Sequence, residues 1–76
     1  MQLEILTPDK SLYSGEVEVV TLPGSNGQFQ ILKDHAALVA SLGEGMIRIK
    51  TAKGEEQVAI NGGVVEVLNN KIVVLA

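Results

Sequence analysis

Few side chains in this sequence are equipped for bond chemistry, and each stands without the partners it would need. His35 is the only histidine. Beside Asp34 it has the makings of a general base and an orienting acid, but such a pair acts only where a nucleophile or a metal completes the site. With one histidine and no cysteine, a three-ligand zinc site lacks donors. No metal is expected, and His35 reads as a loop residue that hydrogen-bonds backbone or contacts a partner. Glu16 and Glu18 would share one face of a strand, roughly 7 Å apart, which superficially matches an acid/base carboxylate pair. Nothing on their side supplies an apolar wall to raise one pKa, so a solvated edge is the expectation. Gly24-Ser25-Asn26-Gly27 is glycine-rich, yet no lysine follows at Walker A spacing and no helix follows to aim its dipole at phosphate. It reads as a turn with at most a recognition role. No catalytic residue and no cofactor are expected.

The elements that carry these residues are strands. Leu3 and Ile5 alternate with Gln2 and Glu4 until Pro8 breaks the run. Val17 and Val19 are expected on one side, Glu16 and Glu18 on the other, with the run continuing through Leu22 to the turn-rich Pro23–Gly27. Phe29, Ile31 and Leu32 imply a short strand. Leu38 to Leu42 admits one helical turn or a strand, and Gly43 and Gly45 favour the strand by closing it quickly. Ile47 and Ile49 alternate with Met46, Arg48 and Lys50, and Ala52-Lys53-Gly54 turns the chain into Gln57 to Ile60 as a hairpin. Asn61-Gly62-Gly63 marks a bulge or bend requiring positive φ. Asn69-Asn70 links Val64–Leu68 to Ile72–Leu75 through a loop that favours a primed turn. Short, evenly spaced strands with no helix between them imply a β-sandwich or small barrel, and residues 1–76 form one domain.

Composition narrows the function classes. Apolar residues make up 46% of the 76, nearly all aliphatic, so the chain can fill a dense core without disulfides. The absence of cysteine fits a reducing compartment, and cytosol is the default expectation because no signal-type start is present. No apolar run approaches the roughly 20 residues of a spanning helix. A formal charge of −3 with no basic cluster opposes binding to nucleic acid. Lys53, at the expected hairpin tip, occupies a place like that of the swinging-arm lysine in biotinyl and lipoyl carrier domains, which are also small β-sandwiches. There the lysine usually sits between methionines or after an aspartate; here its neighbours are Ala52 and Gly54. A charged turn residue is the simpler reading, and the carrier domain is the alternative.

Several runs, taken in order, resemble one family. These are Leu3-Glu4-Ile5-Leu6-Thr7-Pro8, Leu12-Tyr13-Ser14-Gly15-Glu16-Val17, Leu22-Pro23-Gly24, and Gly27-Gln28-Phe29-Gln30-Ile31-Leu32 leading into His35-Ala36-Ala37-Leu38. Gly45-Met46-Ile47-Arg48-Ile49, Asn61-Gly62-Gly63 with Val65-Glu66-Val67, and the closing Val73-Val74-Leu75-Ala76 complete the series. Across its whole length the chain resembles the N-terminal β-sandwich domain of the epsilon subunit of the rotary ATP synthase.

That resemblance implies an all-β sandwich of ten strands in two antiparallel sheets, seated in the rotor's central stalk between the gamma subunit and the c-subunit ring, and doing no bond chemistry. It places Ser25, Asn26, Gly27, Gln28 and Phe29 toward the c-ring and His35, Ala36, Ala37, Leu38, Val39 and Ala40 toward gamma. The membrane would be met only through the c-ring, at its cytoplasmic face. Gln28 stands where the family commonly has glutamate, Gln30 where glycine is usual and Ala37 where proline is usual. The first exchange replaces an ion pair to a basic c-ring loop with a neutral hydrogen bond. Family members generally continue into a two-helix C-terminal domain that can restrain hydrolysis and in some members bind ATP; no such hairpin and no ATP site are expected in these 76 residues.

Overall fold

Apolar and polar residues alternate along most of the chain, and the strands follow that alternation. The computed structural model describes residues 1–76 and contains nine strands: β1 (Gln2–Leu6), β2 (Ser11–Glu16), β3 (Val19–Gly24), β4 (Gly27–Leu32), β5 (Leu38–Leu42), β6 (Gly45–Thr51), β7 (Gly54–Ile60), β8 (Gly63–Leu68) and β9 (Lys71–Leu75). One layer runs β2-β1-β9-β8-β5 and the other β4-β3-β6-β7. A single bridge, Gly24 to Leu42, joins the layers into one hydrogen-bonded path.

The all-β sandwich is as expected, and Leu38–Leu42 is a strand. The count is nine strands where the resemblance implied ten. One pairing departs from the antiparallel expectation: β1 lies parallel to β9, in register from Gln2↔Lys71 to Leu6↔Leu75. This pairing brings the first and last strands of the chain together, and the Lys71 ammonium sits 3.5 Å from the Glu4 carboxylate across it.

Inward-facing side chains from both layers make an entirely apolar core. Its members include Leu3, Ile5, Val65, Val67, Ile72 and Val74 from the five-stranded layer, facing Val20, Leu22, Ile31, Ile47, Ile49 and Ile60 from the four-stranded one. No polar side chain is buried, so the core carries no unpaired polar group to offset its burial.

The connections obey backbone chemistry. Pro23, which has no N–H to donate, lies just past Thr21, where the ladder from β3 to β6 stops. Gly62 and Gly63 both adopt positive φ, 141° and 144°, at the bend where the chain leaves β7 in one layer for β8 in the other. Asn69 and Asn70 have φ of 51° and 61°, the paired left-handed values of the primed turn. Asn70 also reaches across to the β4–β5 connection. Its Oδ1 accepts from the Asp34 N–H at 2.7 Å and its Nδ2 donates to Asp34 Oδ1 at 3.0 Å. Asn70→Ala removes both bonds and strains the turn, and is expected to cost about 1–2 kcal/mol. Asn70→Gly, which keeps the turn and loses only the bonds, is expected to recover part of that loss in urea unfolding.

Candidate functional site

The two segments expected to meet partners come together at one corner of the sandwich, but only in part. The β3–β4 hairpin turns through Ser25 and Asn26, and its tip is tied to β5. The Ser25 N–H donates to Ser41 O at 3.0 Å, and the two hydroxyls meet at 2.9 Å. The Gly43 N–H donates to Pro23 O at 2.8 Å. A concavity of about 490 Å³ results, lined by Gly24 to Phe29 from the hairpin and Leu38 to Ser41 from β5. Phe29, Leu38 and Ala40 pack on the core beneath it, whereas Val39 is 69% exposed.

His35, Ala36 and Ala37 lie away from that corner. They flank the β8–β9 turn beside Leu68, Asn69 and Asn70. The His35 ring donates from Nδ1 to Ala36 O at 2.7 Å, the role a carbonyl acceptor demands of it. Its acidic neighbour Asp34 is engaged by Asn70, so the ring's hydrogen bond here is to backbone.

Glu16 and Glu18 do not share a strand face. Glu16 closes β2 and Glu18 lies in the bend before β3, because the chain reverses here: Val17 is buried, its N–H donates to Met1 O, and the Glu18 N–H donates to Lys50 O, both at 2.8 Å. Glu16 pairs with the Met1 ammonium at 2.6 Å. Lys53 sits exposed in the two-residue turn between β6 and β7.

A second concavity, about 780 Å³, opens along the seam where β2 faces the β6–β7 hairpin, with Tyr13, Glu16, Glu18, Lys33, Lys53 and Glu56 on its walls. Partial burial, with a smaller contribution from the Glu56 charge, raises the Tyr13 phenol above its ordinary value of 10.0. The unfolded chain therefore loses this proton first as pH rises, so Tyr13 lowers stability progressively from about pH 10 upward. Tyr13 is the only tyrosine and there is no tryptophan, so phenolate absorbance reads it directly. Glu56→Gln is expected to shift that titration toward lower pH by removing the smaller of the two causes.

Other residues on the outer surface had no place among the expected sites. Register puts Val39 beside Glu66, and Ser41 beside Val64, which pairs in turn with Leu75. Leu75 is 58% exposed, Leu68 54% and Val64 43%. With half-buried Val73 and Leu6 between them, they form an apolar cluster on the outer face of the five-stranded layer, bordered by Glu4, Glu66 and Lys71. The opposite face, on β3, β4, β6 and β7, presents Thr21, Gln28, Gln30, Arg48, Lys50 and Glu55, with Leu32 and Met46 exposed among them. A signal for the apolar face was available: Val64-Val65-Glu66-Val67-Leu68 is apolar at four of five positions, and a strand with one wet face would alternate.

The family model for the β-sandwich domain of the ATP synthase delta/epsilon chain matches residues 1–76. The chain belongs to this family. Among relatives of this delta/epsilon domain, the ATP synthase epsilon chain of Campylobacter jejuni subsp. doylei is 51% identical over 77 aligned positions, taking in 100% of this chain and 60% of the relative. That of Sulfurimonas denitrificans is 49% identical, with 99% and 58% covered, and the chloroplastic epsilon chain of Cyanidioschyzon merolae is 45% identical, with 99% and 57% covered. The chain thus spans about 60% of the length of these relatives. The fold recurs in a chain of the Euglena gracilis mitochondrial ATP synthase (OSCP/F1/c-ring) at TM-score 0.89 and 21% identity, covering 97% of this chain and 48% of that one. It recurs also in the central stalk/c-ring structure of the Tetrahymena thermophila enzyme, at TM-score 0.82 and 17% identity, covering 97% and 60%. Nothing among these relatives supports a carrier domain modified on Lys53.

Proposed function

We propose that this domain is a non-catalytic docking module of the central stalk of a rotary proton-transporting ATP synthase, joining the gamma subunit to the c-ring. The observation that carries the reading is the cluster of exposed apolar side chains, Val39, Val64, Leu68 and Leu75, on the outer face of the five-stranded layer next to the Ser25–Ser41 corner. The apolar face around Val39 and Leu68 suits a permanent protein interface, since exposed apolar surface of this kind is stabilised by a partner. It takes gamma, with His35, Ala36 and Ala37 at its rim, Val39 on it, and Leu38 and Ala40 on the core side of the same strand beneath. The tip formed by Ser25, Asn26, Gly27, Gln28 and Phe29 carries hydroxyl and amide groups and no charge, and meets the polar loops of the c-ring through hydrogen bonds.

In this reading the membrane is reached only through the c-ring, at its cytoplasmic side; no helix of the structure is long and apolar enough to cross it. Co-purification of the full-length subunit with a tagged gamma subunit tests the assignment, and a failure to recover the pair at stoichiometric ratio overturns it. Gln28→Lys combined with His35→Ala probes the tip and the rim together. Folding is expected to survive, because both side chains are exposed, and rotor assembly is expected to weaken.

A further inference from the structure

The sandwich has four strands with an unpaired edge: β2, β7, β4, which branches from β3, and β5, whose second edge is tied only by the Gly24–Leu42 bridge and the Ser25 N–H to Ser41 O bond. Exposed edges invite pairing with other chains, and proteins ordinarily blunt them with charge, proline or a bulge. β7 carries Glu55 and Glu56, and the pairing of β2 shifts register between Ile5 and Leu6. β4 has neither device. Gly-Gln-Phe-Gln-Ile-Leu, residues 27–32, contains no charge and no proline, and its register against β3 is unbroken from Gly27 to Leu32.

The hairpin fixes which backbone groups are free. A two-residue loop makes Gly24 and Gly27 the hydrogen-bonded pair that closes it. Counting from there, Phe29 and Ile31 turn their N–H and C=O groups to β3, whereas Gln28 and Gln30 turn theirs outward. Pro23 opposite Gln28 agrees, because that position needs no N–H on the β4 side. No turn or loop contact takes up the outward groups of Gln28 or Gln30; only Leu32 O is used, by the His35 N–H at 3.2 Å. The Gln30 side chain does not cover its own edge, since Nε2 donates across the sheet to Thr21 Oγ1 at 3.3 Å. The result is a two-residue repeat of unmet donors and acceptors, which is the chemistry of an extended peptide strand.

Gln28 and Phe29 line the same corner as exposed Val39, so a protein seated on the apolar face lies alongside this edge. We infer that β4 accepts an extended strand of the gamma subunit, hydrogen-bonded through the sheet edge to the backbone of Gln28 and Gln30, while the Gln28 side chain, which stands off the sheet plane, stays with the c-ring; apolar side chains of the added strand continue the Phe29 and Ile31 side. This rests on the docking role proposed above.

Amide hydrogen exchange on the full-length subunit, alone and in complex with gamma, tests it. The Gln28 and Gln30 amides are expected to exchange at least about tenfold more slowly in the complex, as newly bonded strand amides do. Gln30→Pro removes an outward N–H and, within the domain, only the Gln30–Thr21 side-chain bond that Gln30→Ala removes too, so it is expected to fold and to bind gamma at least about tenfold more weakly than Gln30→Ala does, separating backbone from side chain. If Gln30→Pro fails to fold, the wild-type exchange rates still decide. Unchanged exchange at Gln28 and Gln30 in a stable complex overturns the strand and leaves the docking role standing. Protection that rises with the concentration of the subunit alone assigns the edge to a second copy and overturns it as well. Absence of any complex overturns both readings.

Discussion

Val39→Lys combined with Leu68→Glu is expected to weaken binding to the gamma subunit at least about a hundredfold, while the urea midpoint of the domain alone stays close to wild type. Both side chains stand on the outer face of the five-stranded layer, 69% and 54% exposed, so the core loses no packing. The substitutions are matched to the register. Val39 pairs with Glu66 and Leu68 with Lys71, so each new charge gains an opposite neighbour, a pairing that supports a sheet. At an interface the same charges must shed their water against an apolar partner, and central contacts of that kind carry most of the binding energy. Calorimetric titration of gamma checks the affinity. Wild-type affinity in the variant would move the gamma surface off this face.

Gly63→Ala is expected to lower stability by about 3 kcal/mol or more, a large fraction of what a domain of this size holds. Position 63 has φ of 144°, and a Cβ there would run into the carbonyl oxygen of Leu75 and come within 3.0 Å of the Ala76 Cα. Both obstacles are backbone, so neither can step aside as a flexible side chain can. Gly54 is the natural control. Its φ is 139°, yet nothing lies within 4 Å of its absent Cβ, so Gly54→Ala bears the conformational cost alone, about 1–2 kcal/mol. Urea denaturation of the two variants separates strain from collision; equal losses would show that the collision at Gly63 relaxes.

Local chemistry was legible in the sequence; pairings between distant residues were not. Ile47 and Ile49 alternating with Arg48 and Lys50 declared β6 and its buried side, and Asn69-Asn70 declared a primed turn because few residues besides asparagine and glycine tolerate two left-handed positions in a row. β2 escaped notice because Ser11, Ser14 and Gly15 give it neither β-branching nor alternation. Its strand character comes from pairing with β1. The Glu16/Glu18 face failed for a related reason: alternation argues which side a residue takes only while the chain stays extended, and it bends at Glu18. Among the candidate contacts, the turn at Ser25 and Asn26 was visible as turn chemistry. Its attachment to Ser41, sixteen residues away in sequence, and the alignment of Val39 with Val64, Leu68 and Leu75 depend on strand order, which no local pattern encodes.

The parallel pairing of β1 with β9 bears on how the domain carries load. Because the two strands run the same way, the start of β1 at Gln2 and the end of β9 at Leu75 lie at opposite ends of one ladder. A pull between those points slides one strand along the other and strains all five rungs, Gln2↔Lys71 to Leu6↔Leu75, at the same moment. An antiparallel arrangement would instead peel them apart in succession. The chain is thus joined along its length like a lap seam, a geometry that resists shear.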